Sequence, residues 1–139
     1  MNHPLRTPPR LNIVWNIEIY HFYADLYPVI SYWDYNPWYE VYTIPAYDAI
    51  DHIGQVRRVF GRVQETYYYP LSDEYFLYIG AFFPYQDFTV IIPGKIARRI
   101  SRNPEKYFLR EDIVVTGLIT EYEERPEMIV KKRSQIERY

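Results

Sequence analysis

The sequence contains no cysteine, which excludes a disulfide framework, a thiolate metal site and a cysteine nucleophile. Histidine is scarce: His3, His21 and His52 fall in separate segments, without the close spacing that metal ligands show. No metal or cofactor is expected. Charge of one sign is also lacking, since 16 Lys and Arg stand against 18 Asp and Glu for a net charge of -2. A protein that coats nucleic acid by bulk positive charge is excluded, and any such binding has to come from a local patch. No long apolar run is present, because Leu11 to Trp33 is interrupted by Glu18, His21, Asp25 and Pro28. A transmembrane helix is excluded there. The first ten residues carry two arginines but no short apolar run with a small-residue cleavage site, so a cytoplasmic location is expected.

What the chain has in excess is aromatic. Of its 139 residues, 17 are Tyr, 7 Phe and 3 Trp, 19% in all. Tyrosine buries a large rigid ring and keeps one polar tip, which suits interfaces. With 48% hydrophobic and 24% charged residues, the chain can build a real core.

Composition divides the chain near residue 46. Residues 1–46 have no glycine, are rich in proline and carry all three tryptophans, Trp15, Trp33 and Trp38. Ile13, Trp15, Ile17 and Ile19 alternate with polar residues as in a strand, but Pro28, Pro37 and Pro45 break longer elements. An extended aromatic arm is expected, lying against the main domain or a neighbouring chain through those tryptophans.

Residues 47–139 read as a series of short strands. The first is Gln55 to Glu65, with Val59, Gly61 and Val63 on one face and a bend at Gly61. Tyr75 to Gly80, Phe88 to Pro93, Asp112 to Tyr122 and Pro126 to Lys132 follow. Between the third and fourth, Lys95 to Phe108 reads as helical and interrupted at Pro104. Five strands with that insertion predict an all-β fold, a five-stranded OB-fold Greek-key barrel with a short helix between strands three and four.

The residues also carry a resemblance. His52 to Gly54, Phe76 to Gly80, Pro84 to Thr89, Val115 to Ile119 and Ser134 to Ile136 resemble, in this order, recurrent motifs of small bacterial OB-fold proteins described as nucleic-acid binding. The resemblance covers about residues 47–137 and implies the barrel and a nucleic-acid ligand. The segment Glu121 to Glu127 departs from it, because four carboxylates in that loop repel phosphate.

Two functions follow as expectations, neither enzymatic, because no nucleophile, phosphate loop or oxyanion donor accompanies the carboxylate pairs Asp48 with Asp51 and Glu111 with Asp112. One is a module holding single-stranded nucleic acid on the face of strands two and three. Tyr68, Tyr78 and Tyr85 would stack on bases, and Arg58, Arg62 and Lys131 would meet phosphates. The alternative is an assembly subunit that self-associates or joins a larger complex, with Trp15, Trp33, Trp38 and the basic residues Arg98, Arg99 and Arg102 at the interface.

Overall fold

The computed structural model describes residues 43–139. It is an all-β fold of eight described strands with two short helices. The strands are β1 (Thr43–Pro45), β2 (Val56–Tyr69), β3 (Glu74–Ile79), β4 (Phe88–Pro93), β5 (Asp112–Leu118), β6 (Thr120–Tyr122), β7 (Arg125–Ile129) and β8 (Ile136–Arg138). The helices α1 (Gly94–Ile100) and α2 (Pro104–Phe108) lie between β4 and β5.

One sheet runs in the order β6, β7, β4, β3, β2, β5, β8, with β1 parallel to β2. The hydrogen-bonded path is open and holds seven strands with β1 beside it, so eight strands stand where five were expected. Part of the difference lies at Ile119. The expected fourth strand splits there into β5 and β6, because the Ile119 backbone turns to the start of β2, donating to Gln55 O (2.9 Å) and accepting from Gly54 N (2.7 Å). The other two additional strands, β1 and β8, are three residues each and too short to show a periodicity. Thr43–Pro45 belongs by composition to the arm but pairs with Arg58 to Phe60 of β2.

β2 organises the sheet because its 14 residues divide between two antiparallel partners, with β1 as a third along its first half. Val56 to Arg62 pair with β5, and Val63 to Tyr69 pair with β3, with a register shift between Val63 and Glu65. Gly61 lies just before this changeover, as the expected bend requires. A Cβ at Gly61 would sit 2.5 Å from Ile79 Cγ2 and 3.2 Å from Ala46 Cβ, so a side chain there would have to displace the core side chains packed over the glycine.

Alternation sends Val59, Val63, Leu77, Ile79, Val90 and Ile92 into one core, joined by Phe88, Ile113, Val115 and Met128. The helices close it with Ala97 and Phe108. Pro104 occupies the first turn of α2, where its missing N–H costs no hydrogen bond, and the Asn103 side chain accepts from Lys106 N. The helical stretch therefore breaks at the expected residue. Among the described residues, no helix is long and apolar enough to cross a membrane.

Candidate nucleic-acid interface

The opposite face of β3 and β4 bears the candidate site. Period-two alternation that points Leu77 and Ile79 into the core turns Phe76 and Tyr78 the other way. With Tyr69 and Ile91 they form a second buried apolar cluster, against which Tyr67, Phe83 and Ile129 pack. The Tyr78 ring lies 5.1 Å from that of Phe83 and 6.3 Å from that of Phe76, both tilted. Only 2% of Tyr78 is exposed. The expectation that Tyr78 offers an open ring to a base is thus corrected, since neighbouring rings and apolar side chains enclose it.

Beside this cluster is a cleft of about 140 Å³ walled by Phe76, Tyr78 and Phe83, with Gln86, Arg125 and Glu127 among its polar groups. Apolar cavities of this order accept a single aromatic ring. The loop between β3 and β4 forms one side and is fixed at two points. Glu65 Oε1 accepts from Phe83 N at 2.9 Å, and the Arg125 guanidinium donates to the carbonyls of Pro84 and Gln86. Gln86 Nε2 donates to Thr89 Oγ1 at 3.0 Å, while Gln86 Oε1 is buried without a hydrogen-bond partner among the described residues. At the tip of this anchored loop, Phe82 is 53% and Tyr85 79% exposed. Tyr85 is therefore the one expected stacking residue placed in the open.

Tyr68 has another partner. Its hydroxyl donates to Asp73 Oδ1 at 2.8 Å, and the Arg98 guanidinium donates to both Asp73 oxygens at 2.9 and 2.8 Å. The Arg98 and Tyr68 hydrogen bonds pull the Asp73 carboxyl down to about 2, and Asp73 raises both partners in turn. Two residues expected at different interfaces thus meet on one carboxylate. They tie the β2–β3 turn to α1, and the Tyr68 ring lies 4.5 Å from that of Tyr75.

The expected phosphate contacts are dispersed. Arg58 is exposed on β2 opposite Thr116 of β5. Arg62, on the same face, is ion-paired to Asp112 at 3.1 Å, which lifts its pKa above the ordinary arginine value. Lys131 follows β7, and desolvation lowers its pKa. Arg99 and Arg102 are exposed at and just beyond the end of α1. Of the expected acidic loop, Glu123 and Glu124 are exposed at the hairpin tip, both with left-handed φ, of 52° and 64°. Glu127 is instead buried on β7. Trp15, Trp33 and Trp38 lie outside the described residues.

Gln86 and Arg125 were not legible as site residues. Their placement depends on the β6–β7 hairpin folding back over the β3–β4 loop, a contact across 39 residues or more of sequence. Phe82 does carry a local signal, since it opens the run Phe-Phe-Pro-Tyr between two strands.

No known family profile matches the chain, and no curated protein does. Among solved structures, it is similar to one assigned to an aspartyl-tRNA synthetase from Leishmania major Friedlin. The identity is 11% and the TM-score 0.48, over 74% of this chain and 21% of that one. The chain thus spans about a fifth of that protein's length.

Proposed function

We propose that this chain is a non-enzymatic binding module of the OB type that holds single-stranded nucleic acid across β3, β4 and the loop joining them. The observation that carries the reading is the pair of exposed rings, Phe82 and Tyr85, on an anchored loop beside an aromatic-walled cleft. Bases stack on such rings, and the cleft has room for one more ring. The topology supports the OB reading. β2, β3 and β4 form a meander, β4 pairs in parallel with β7, and β2 pairs with β5. Taking β5 and β6 as one strand bent at Ile119 leaves the strand order of the Greek-key barrel, with α1 and α2 as its helical insertion. The ligand's phosphates fall to the exposed Arg58 and Lys131.

The test is a fluorescence titration with a labelled single-stranded oligonucleotide over a salt series. Affinity should fall steeply with salt, and Tyr85→Ala should weaken binding about 10-fold while leaving stability unchanged. Absence of binding at low salt refutes the reading. A second reading, an assembly subunit, is favoured by the exposed apolar side chains Tyr47, Ile50 and Phe60, which belong to β2 and the 3-10 turn before it. It predicts a light-scattering mass above that of one chain, lowered by Tyr47→Ser with Ile50→Ser.

A further inference from the structure

We propose that the groove between the helices and the C-terminal strand β8 is a second binding site, for phosphate-bearing polyanions. It shares no lining residue with the cleft on the β3–β4 face and does not depend on that face binding anything. The groove is a broad depression of about 1050 Å³. Ligand sites commonly run from about 300 to 1,000 Å³, so its size suits an extended ligand.

Its lining is cationic in a chain whose net charge is negative. Arg99 of α1, Lys132 and Arg133 of the turn before β8, and Arg138 of β8 face two carboxylates, Glu111 and Glu137. Arg138 is committed within the protein. Its guanidinium lies 3.9 Å from the centre of the Tyr107 ring and 3.4 Å from Glu111 Oε1, so it neutralises one of the two acids and caps the aromatic wall. Arg99, Lys132 and Arg133 have no ion pair among the described residues and are left to an external anion. Charges of one sign lining a concave surface concentrate the field there, which favours an anionic ligand beyond what the same charges do on a flat face.

The groove is also held in shape before a ligand arrives. Gln135 is buried at the base of the turn, where its Oε1 accepts from Lys131 N at 2.7 Å and Lys132 N at 2.8 Å, and its Nε2 donates to Thr116 O at 2.8 Å. The backbone carrying Lys132 and Arg133 is thereby fixed to β5, so binding spends little entropy on ordering it. Tyr139, 68% exposed, adds a ring at the rim. Phosphates supply the chemistry the cations select. A nucleic-acid backbone would use the Tyr139 ring as well, whereas a free polyphosphate would not.

The experiment is isothermal titration of the full chain at low salt with tripolyphosphate and, separately, with a 12-nucleotide oligothymidine. The probes are repeated on the charge-reversed variant Arg99→Glu with Arg133→Glu, on Tyr139→Ala and on Lys95→Glu, an exposed lysine outside both linings, as a control. Both altered arginines are exposed and unpaired among the described residues, and an unchanged melting temperature confirms that the variant folds. Tripolyphosphate should bind, weaken as salt rises, lose at least 10-fold in affinity on charge reversal and stay unchanged in Lys95→Glu. A loss of oligothymidine affinity in both the charge-reversed and Tyr139→Ala variants identifies the source as nucleic acid; loss of tripolyphosphate alone identifies a free polyphosphate. The proposal is overturned if tripolyphosphate does not bind, or if charge reversal leaves its affinity unaltered. Oligothymidine that binds while tripolyphosphate does not would retain the β3–β4 reading and eliminate the groove.

Discussion

Gln135→Ala removes three hydrogen bonds at one stroke. The Oε1 atom is the acceptor for two consecutive backbone N–H groups, those of Lys131 and Lys132, and Nε2 is a donor to the Thr116 carbonyl. Each such bond contributes about 1 kcal/mol net, and a buried group left unpaired costs about 1 to 3 kcal/mol. Water reaches part of this turn, because Lys131 is exposed and Lys132 half-exposed. The loss should therefore lie near the lower bound, about 3 kcal/mol. Urea denaturation is the assay. With a slope of about 2 kcal/mol per molar for a domain of this size, the midpoint should fall by about 1.5 M with the slope unchanged. A fall smaller than about 0.3 M would show that the amide is replaceable by solvent and would refute the claim that it fixes the turn. Glu137→Ala, exposed two residues away, should stay within about 0.5 kcal/mol of the parent.

Two further outcomes follow from neighbouring geometry. In Gly117→Ala the new Cβ would lie 2.8 Å from Gln135 Nε2 and 3.0 Å from Met128 Sδ, so overpacking should cost about 1 to 3 kcal/mol by urea midpoint. That cost should shrink when Gln135 is already alanine, because the closest contact is gone, and a double-mutant cycle measures the coupling. Asp73 gives a pH dependence. Its pKa is depressed, so its stabilising contribution is complete above the unfolded value of 3.8 and is lost as pH falls toward about 2. Melting temperatures of Asp73→Asn and the parent should therefore converge between pH 4 and pH 2, and a constant difference across that window would contradict the assignment.

Elements that depend on neighbours in sequence were legible. Valine spacing placed Val59 and Val63 in the core, Phe88 to Pro93 was bounded correctly, and Pro104 broke the helical insertion where proline chemistry requires. What escaped was decided by contacts between distant segments. Alternation along 112–122 continues through Ile119, so only the backbone pairing with Gln55 reveals the break. Tyrosine at position 68 and arginine at position 98 look available on their own, and nothing local says that Asp73 takes both. The stacking role assigned to Tyr78 assumed that an outward-pointing ring is an open one, yet Phe76 and Phe83 tilt against it. The basic groove required β8 to return alongside α1 and α2, which three residues of strand cannot announce.

The long strand β2 has a consequence for how the protein comes apart. One half of it is hydrogen-bonded to β5, with Arg62 and Asp112 fifty residues apart in sequence, and the other half to β3 across a single turn. Releasing β5 would strip the first half of β2 of a ladder partner and unseat Val59 from the common interior, which the β3 side also lines. Neither portion is left with a stable remnant, so the strands should melt together as one cooperative unit. Their slowest-exchanging amides should share a single opening free energy.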